Sequence, residues 1–433
     1  MSRSPLLTFY GDDFTGSTDV MEALSSNGIE TVLFTRLPSP ERVAAFPGAR
    51  AIGLAGTSRS QSPEWMDAHL PTAFAWLAGL GARFCHYKVC STFDSAPHRG
   101  SIGRAMELGL AAFNQKRTHL VVGAPQLRRY TFAGHLFAGF REGIYRIDRH
   151  PVMSRHPATP MHESDLVVHL GAQTDLTGAA MAPGDTALAR PATDDARFVL
   201  LDVHDPHTQA WAGERLETDA RAAGPFLVGS SGIEYALLTR WRESEEGVGP
   251  VPSRRLVSED RIAVVSGSCS ATTARQIQTA CTDGFDAIPV DYARLLDDQT
   301  REAVCEDALA AASASLDNSR SPIVHTAMGT ETAKPQPGAD AQAGLALGRI
   351  LATLQERHSL NRIAIAGGDT SSHGIEALGL DALTLRHPIP DTPGSPLCTG
   401  HDASGERFEI ALKGGQIGAD DYFPRLRDGR LDR

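Results

Sequence analysis

The chain has 433 residues, of which 41% are hydrophobic and 21% charged, a composition typical of a folded protein and not of a disordered or membrane-embedded one. Its length exceeds what one hydrophobic core usually serves, so two domains are expected. A formal net charge of −11 without a long basic run argues against nucleic acid or an anionic membrane as the main partner. The six cysteines lack C-x-x-C spacing, which favours reduced thiols and a cytoplasmic location.

Short apolar runs alternate with helical patterns from the beginning of the chain. Residues 6–10 predict a strand, Thr15 or Ser17 can cap the helix that follows, and Gly28 ends that helix. Further strands are predicted at 29–34, 51–55, 84–89, 120–123, 198–203 and 226–228, and a helix at 102–113. Repeated strand–helix–strand units predict a mostly parallel sheet covered by helices.

Two stretches interrupt this alternation. Residues 130–170, rich in His, Arg and Pro, predict loops with short helices, and residues 242–260 mix charge with Gly and Pro as linkers do. Strands resume at 262–265, 323–326, 363–366 and 408–412. We therefore predict an α/β fold with two domains at 1–245 and 246–433, each a mostly parallel sheet flanked by helices, and an active site in the cleft between them.

Loops of small, hydroxyl-bearing or acidic residues follow many of these strands. They read GDDFTG (11–16), GTSRS (56–60), KVCSTFDS (88–95), GSSG (229–232), SGSCSATT (266–273), GGDTSSH (367–373) and KGGQIG (413–418). Ligands of open α/β sheets collect at the carboxyl ends of strands, where Gly and Ser let an anion reach the N–H groups of a following helix. Each loop alone is as readily a turn or a helix cap. Three of them in the second domain favour a polyphosphate nucleotide there, and the charged side chains of the first domain favour a small polar substrate.

The adjacent carboxylates of Asp12 and Asp13 are the least ordinary feature of the first loop, because like charges in contact repel each other and resist dehydration. One acid capping the helix while its neighbour faces water is an equally good explanation from these residues alone. A solvated lysine is likewise the simpler interpretation of Lys88, and a turn cap that of Asp94.

Several familiar motifs are absent from the sequence. It has no G-x-x-x-x-G-K-[ST], no G-x-G-x-x-G after the first strand, no H-E-x-x-H and no serine-hydrolase elbow. These absences argue against a P-loop enzyme and a nicotinamide-dependent oxidoreductase. The residue patterns lead as far as an α/β enzyme with anion-binding loops.

A set of longer motifs is spread, in order, over nearly the whole chain. The motifs are GDDFTGSTD (11–19), YKVCSTFDSAPHRGSIGRA (87–105), GHLF (134–137), HPATPM (156–161), VGSSGIEYAL (228–237), SGSCSATTARQ (266–276), GGDTSSHGIEALG (367–379) and PGSPLC (393–398). Together they resemble the four-carbon acid sugar kinase family. The resemblance implies an ATP-dependent kinase of a small sugar acid such as threonate, erythronate, a 3-oxo-tetronate or 3-oxo-isoapionate, with an N-terminal substrate domain and a C-terminal nucleotide domain.

The resemblance also implies a role for individual residues. It assigns to ATP, which would bind with Mg²⁺, the residues Ser266, Ser268, Gly367, Gly368, Asp369, Thr370, Gly414 and Gly415. It assigns to the sugar acid Asp12, Asp13, Arg59, Lys88, Ser91, Asp94 and Arg104. Arg59 or Arg104 is expected to grip the carboxylate. One of the paired acids, with Asp13 ranked ahead of Asp12, is expected to orient or deprotonate the attacking hydroxyl, while the other fixes substrate or a water on Mg²⁺.

The substrate itself stays open at this point. Residues 138–155, AGFREGIYRIDRHPVMSR, are more basic than the matching stretch of the tetronate kinases, so 3-oxo-isoapionate is an alternative substrate. A sugar-acid-binding protein that has lost transfer is a second alternative, although SGSCS and GGDTS are both intact. No nucleic acid or membrane partner is expected, and a homodimer is left open.

Overall fold

The chain divides into two units in the computed structural model, which describes residues 4–184, 195–245, 247–253, 255–329 and 339–432, with 339, 340 and 369 described by their backbone alone. Unit 1 comprises Met1–Leu33 and Leu37–Val251, and unit 2 comprises Phe34–Arg36 and Pro252–Arg433. The predicted α/β class is confirmed in both. Across the described ranges, no helix is long and apolar enough to cross a membrane.

Unit 1 is built around a parallel sheet. The strands of this unit are β1 (Leu7–Gly11), β2 (Thr31–Phe34), β3 (Ala51–Ala55), β4 (Phe84–Lys88), β5 (Thr118–Val121), β6 (Arg129–Phe132), β7 (His135–Phe140), β8 (Gly143–Arg146), β9 (Gly178–Met181), β10 (Phe198–Leu201) and β11 (Phe226–Gly229). In the order β3, β1, β4, β11, β5, β10, β9, neighbouring strands pair in parallel, and β2 lies beyond β3. The carboxyl ends of β3, β1, β4, β11 and β5 therefore share one edge of the sheet.

Helices connect the parallel strands of unit 1. They are α1 (Phe14–Ser25), α2 (Pro40–Ala44), α3 (Pro63–Gly79), α4 (Ile102–Ala112), α5 (Leu166–Gly171), α6 (Pro206–Arg215), α7 (Arg221–Ala223) and α8 (Gly232–Ser244). Short polar side chains cap several of them, as Ser62 does for α3 and Ser101 for α4. Their apolar faces pack on the sheet, where Phe74 of α3 meets Phe226 of β11 edge to face with ring centroids 5.5 Å apart.

The prediction of loops with short helices over 130–170 is wrong for its first third. Strands β6, β7 and β8 form a separate antiparallel sheet there, and short 3-10 turns follow. Exposure alternates only along the first part of β7, and frequent glycines and charged residues weaken the apolar pattern on which strand prediction depends. Isolated bridges join this small sheet to neighbouring loops at Ala124↔Arg129 and His135↔Asp165.

Unit 2 has a mixed sheet. Its strands are β12 (Ala263–Ser266), β13 (Phe285–Pro289), β14 (Ser321–His325), β15 (Arg362–Ala366), β16 (Ala382–His387), β17 (Leu397–Asp402) and β18 (Gly405–Lys413). In the order β13, β14, β12, β15, β18 the strands run parallel, and β17 and β16 extend the sheet in antiparallel fashion. The sequence-based prediction missed β9, β13, β16 and β17.

Helices flank the sheet of unit 2 as well. They are α9 (Ala271–Cys281), α10 (Tyr292–Leu296), α11 (Arg301–Asp317), α12 (Ala339–His358), α13 (Gly368–Ala377) and α14 (Tyr422–Asp428). The core packs Ile277 of α9 and Phe423 of α14 against Val264 and Ala364 of the sheet, and all four side chains are buried. This packing fixes the strand ends from which the loops of unit 2 emerge.

Glycines face aromatic rings on neighbouring strands of unit 1. Gly53 of β3 is in register with Phe9 of β1, and a Cβ atom added to it would lie 2.1 Å from the Phe9 ring. Gly178 of β9 has the same relation to Phe198 of β10, at 2.0 Å. Each ring occupies the space that a side chain on the glycine would need, so these strand positions accept no larger residue without repacking.

Candidate functional site

Charged residues gather where β3, β1 and β4 end. Asp12 and Asp13 follow β1, Arg59 lies in a 3-10 turn after β3, Lys88 is the last residue of β4, and Asp94 lies in the loop that follows it. Backbone hydrogen bonds hold these ends together, because Asp12 N–H donates to the Lys88 carbonyl (2.9 Å) and Arg59 N–H donates to the Asp12 carbonyl (3.0 Å). The structure thus brings together five residues that the sequence assigned to one substrate site.

Asp13 has both carboxylate oxygens engaged. Its Oδ1 accepts from the Gly16 N–H at 2.5 Å as the N-cap of α1, and its Oδ2 pairs with Arg59 Nη1 at 2.7 Å. Arg59 also donates through Nη2 to both oxygens of Asp94, at 3.0 Å each. Arg59 therefore bridges two acids, and the helix-cap interpretation of the acid pair applies to Asp13.

Asp12 has a different environment. Its side chain is buried, and its Oδ1 has no hydrogen-bond partner among the residues that the structure describes. Burial raises the pKa of Asp12 to about 8, the neighbouring Asp13 carboxylate adds to this rise, and Arg59 and Lys88 oppose it. A buried carboxyl group with an unused oxygen is costly for folding and is typical of a functional site.

Lys88 is buried beside these acids, so the solvated-lysine interpretation is wrong. Its Nζ lies 3.5 Å from Asp19 Oδ2 and donates to the Val89 carbonyl at 3.2 Å. Although burial lowers the pKa of Lys88, the carboxylates of Asp19, Asp13 and Asp12 raise it above its ordinary value. The lysine therefore stays charged. It offsets part of the negative charge of Asp12, Asp13, Asp19 and Asp94, which we call the acid cluster.

Asp94 connects the site to the HPATPM motif. It accepts from the hydroxyls of Thr92 (2.5 Å) and Thr159 (3.0 Å), and His156 Nδ1 lies 4.0 Å from its Oδ2. Burial raises the pKa of Asp94, but Arg59 and Thr92 outweigh this and lower it. Asp94 is thus an ionised, fully satisfied carboxylate that fixes Arg59.

The other two predicted substrate residues of unit 1 lie apart from these contacts. Arg104, on α4, donates from Nε to Asp67 and from Nη1 to Glu107, at 2.6 Å each, and its side chain is 34% exposed. Within the described part of the chain, its side chain forms no hydrogen bond or ion pair with Asp12, Asp13 or Asp94. Ser91 lies half-buried in the turn between β4 and Asp94.

The predicted nucleotide loops of unit 2 are adjacent. They follow β12, β15 and β18, in which Ser266 pairs with Ala366 and Ala366 pairs with Lys413. The loops also bond to each other, since Gly267 N–H donates to the Ala366 carbonyl (3.2 Å) and Gly367 N–H to the Lys413 carbonyl (2.8 Å). Residues distant in sequence thereby form one continuous strand-end surface.

This surface fits a phosphate-bearing ligand. A Cβ atom on Gly267 would lie 2.2 Å from Thr370 Oγ1, and one on Gly415 would lie 2.6 Å from Ser268 Oγ, so only glycine allows the hydroxyls this position. Helix α9 begins after Ser270, and α13 begins at Gly368 after Gly367, whose φ is +119°. Two helix N-termini, each with partial positive charge, thus border the loops. For Asp369 the structure describes only the backbone, in the first turn of α13.

The sequence-based assignment missed Lys413. Its Nζ is buried and donates to the carbonyls of Gly414 (2.8 Å) and Ile417 (3.2 Å) and to Thr273 Oγ1 (3.3 Å). Burial lowers the pKa of Lys413 to about 8, and the described residues supply no carboxylate for it. Its place directly before Gly-Gly at a strand end was the available sequence signal. No cluster of three or more His, Cys, Asp or Glu side chains suited to a metal ion occurs among the described residues.

Comparisons with known proteins give the same division of the chain. The profile of a sugar-binding N-terminal domain matches residues 7–237, and that of a nucleotide-binding C-terminal domain matches residues 263–423. The chain is 43% identical to a 3-oxo-isoapionate kinase of Paraburkholderia graminis, with 98% of this chain and 95% of that protein covered. It is 31% identical to a 3-oxo-tetronate kinase of Cupriavidus necator, with 98% and 96% covered.

Solved structures share the fold. A Salmonella typhimurium LT2 protein superposes with a TM-score of 0.77 at 26% identity over 97% of this chain and 98% of that chain. A Haemophilus influenzae protein superposes with a TM-score of 0.70 at 24% identity over 97% and 99%. The sheet order and loop positions described above therefore belong to an architecture that occurs in other proteins.

Proposed function

Because the chain belongs to the four-carbon acid sugar kinase family, we propose that it transfers the γ-phosphoryl group of ATP to a hydroxyl of a small sugar acid. It is a small-molecule kinase, a phosphotransferase with an alcohol group as acceptor. The observation that carries this proposal is the set of three intact anion-binding loops side by side in the nucleotide-binding domain. The location of the site in an interdomain cleft stays a prediction.

Asp12 is the proposed general base. Its free Oδ1 can accept a hydrogen bond from the attacking hydroxyl, whereas both oxygens of Asp13 already serve Gly16 and Arg59. The hydroxyl oxygen forms a bond to the γ-phosphorus, the bond from that phosphorus to the β,γ-bridging oxygen breaks, and ADP leaves with the electron pair. The hydroxyl proton passes to the ionised carboxylate of Asp12, and since burial raises the pKa of Asp12 to about 8, transfer is expected to speed up as the pH rises toward that value. This assignment replaces the sequence-based ranking of Asp13 first.

The loops of unit 2 would hold the nucleotide. The hydroxyls of Ser266, Ser268 and Thr370 and the backbone N–H groups near Gly367 and Gly415 are donors suited to phosphate oxygens. Mg²⁺, when bound with ATP, supplies charge neutralisation and orients the γ-phosphoryl group. The unpartnered Oδ1 of Asp12 fits a hydrogen bond from a water on that ion equally well, because Mg²⁺ keeps several of its waters when bound.

We propose 3-oxo-isoapionate ahead of the 3-oxo-tetronates as substrate. The 43% identity to a kinase of that name exceeds the 28–31% identity to 3-oxo-tetronate kinases over similar coverage. The basic stretch 138–155 contains part of the antiparallel sheet of unit 1, and we expect it to contribute to this preference. We further propose a cytoplasmic location, since ATP is available there and none of the six cysteines forms a disulfide in the described part of the chain. A homodimer stays a prediction.

The test is ADP release from Mg·ATP with purified protein and a panel of 3-oxo-isoapionate, 3-oxo-tetronates, threonate and erythronate. Release that depends on one acid, and that the Asp12→Asn variant lacks, supports kinase function and identifies the substrate. The second candidate, a sugar-acid-binding protein without transfer, predicts binding of ATP and of an acid without any release. Release independent of every acid would contradict both candidates.

A further inference from the structure

Arg129 is an arginine of unit 1 that has no carboxylate partner in the described part of the chain. Arg59 pairs with Asp13 and Asp94, and Arg104 pairs with Asp67 and Glu107. Arg129 has no carboxylate within ion-pair distance in the described part of the chain, and its Nε is buried without a hydrogen-bond acceptor. Arg129 is half-buried, and a buried Nε–H without an acceptor is unfavourable, so an anion supplied from outside the chain is the expected partner.

The hydrogen bonds of Arg129 leave one particular edge of its guanidinium unused. Nη1 donates to the carbonyls of Leu127 (3.0 Å) and Arg128 (3.2 Å), and more weakly to that of Gly139 (3.5 Å). These carbonyls fix the side chain without neutralising it. Nε and Nη2 make no hydrogen bond to the described residues. This edge presents two parallel N–H donors, the geometry that binds a carboxylate through two hydrogen bonds.

Arg129 begins β6, close to the strand ends that carry the acid cluster. Two backbone hydrogen bonds (2.8 and 3.1 Å) join it to Ala124, directly beyond the end of β5. A Cβ atom on Gly232 would lie 2.3 Å from the Gly123 carbonyl. The loop after β5, which contains Gly123 and Ala124, therefore lies against the start of α8. In the same turn, Ser231 Oγ donates to Asp19, the partner of Lys88.

Cys90 and His150 are among the groups whose charges interact with Arg129. Cys90 follows β4 by two positions, and its thiol is within electrostatic range of both Arg59 and Arg129. His150 is also within range of Arg129, and its Nδ1 accepts from the backbone N–H groups of Val152 and Met153. The two arginines differ in their partners: both terminal nitrogens of Arg59 donate to carboxylates, whereas Arg129 donates only to carbonyls and keeps its Nε and Nη2 edge unused.

We propose that Arg129 binds the carboxylate of the sugar acid through its Nε and Nη2 groups, whereas Arg59 only shapes the site by holding Asp13 and Asp94. The inference rests on the proposed function for the identity of the ligand. It gives the chain a reason to prefer acids over neutral sugars. It also corrects the expectation that Arg59 or Arg104 grips the carboxylate.

The experiment compares each acid with its carboxamide, which keeps the hydroxyl groups and loses the charge. Binding of 3-oxo-isoapionate and of 3-oxo-tetronate is measured by calorimetry without ATP, so that failure of phosphoryl transfer leaves this test unaffected. Arg129→Gln is expected to weaken binding of the acid by about tenfold to a hundredfold and to abolish the preference for acid over amide. Arg128→Gln is the matched control, because Arg128 is exposed and donates to the carbonyls of Arg141 and Gly143.

Two further measurements separate recognition from folding. Arg129→Lys keeps the charge without the two-pronged edge, so it should retain part of the preference. Added guanidinium ion should restore acid binding to Arg129→Ala but not change that of Arg128→Ala. If the wild-type protein prefers the acid and Arg129→Gln keeps that preference, the carboxylate binds elsewhere. If wild type binds neither acid more tightly than its amide, the inference fails as well.

Discussion

The unusual pKa of Asp12 predicts that replacing its carboxyl group stabilises the protein while destroying activity. Asp12→Asn keeps the size of the side chain and removes the charge. Since burial raises the pKa from 3.8 to about 8, ionising Asp12 in the folded state costs roughly 6 kcal/mol when complete. The variant avoids this cost. It also loses the proton acceptor, so turnover should fall by about a hundredfold or more.

The sign of the pH dependence follows from the direction of the shift. Below about pH 4 the carboxyl is protonated in folded and unfolded chains alike and contributes no difference. As the pH rises toward 8, the unfolded chain releases the proton and the folded chain retains it, so the free energy of unfolding falls. Between about pH 5.5 and 8.5 wild type should therefore lose roughly 3 kcal/mol more than Asp12→Asn. Titrating groups far from Asp12 affect both proteins equally.

Urea unfolding followed by tryptophan fluorescence measures this quantity for the relevant unit. All four tryptophans, Trp65, Trp76, Trp211 and Trp241, lie in unit 1, and Trp241 is fully buried. Asp13→Asn is the comparison variant: asparagine still caps α1, and because the Asp13 carboxylate adds to the rise in the pKa of Asp12, this variant should keep the pH dependence in weakened form. Equal pH dependence in wild type and Asp12→Asn would refute the argument that Asp12 is held in a desolvated site.

Three predictions concern the nucleotide loops. Gly415→Ala should raise the KM for ATP by about tenfold, because the new Cβ atom would lie 2.6 Å from Ser268 Oγ. Gly414→Ala should have a smaller effect, because the nearest contact of its Cβ atom would be 3.5 Å. Steady-state kinetics compares the two variants. Asp369→Ala should raise the ATP requirement much more than the sugar-acid requirement, and an unchanged KM for ATP would remove Asp369 from the site. Lys413→Met should weaken ATP binding by about tenfold in calorimetry without loss of stability, since the buried lysine has no carboxylate partner among the described residues. Lower stability together with normal ATP binding would show that Lys413 has a purely structural role.

Local sequence signals were sufficient for the nucleotide loops. A strand followed by Gly and Ser specifies a tight turn and a helix start within about ten residues, as around Ser266 and Gly367, and neither depends on distant contacts. To predict that the loops after β12, β15 and β18 lie side by side, the strand order must be known. This order follows from packing across the whole sheet. The sequence suggested consecutive strands, and the structure has all three adjacent.

Roles that depend on partners far along the chain could not be read from the sequence. Asp12 and Asp13 are adjacent and chemically identical, and only the direction of each side chain decides that one caps a helix and the other is buried without a partner. Arg104 and Arg129 differ in the same way. The first meets Asp67 from another helix, whereas the second enters an antiparallel sheet that the sequence pattern did not reveal.

The contact between Gly53 and the Phe9 ring has a consequence for how this family diversifies. The two positions share one volume, so a methyl group gained at 53 overfills it and costs about 1–3 kcal/mol unless the ring at 9 shrinks. Substitutions at the two positions should therefore arise as compensating pairs across related proteins. Since Phe9 lies on the strand that ends just before Asp12, such exchanges would shift the backbone that carries the acid, and we expect both positions to vary less than other buried sites of the sheet.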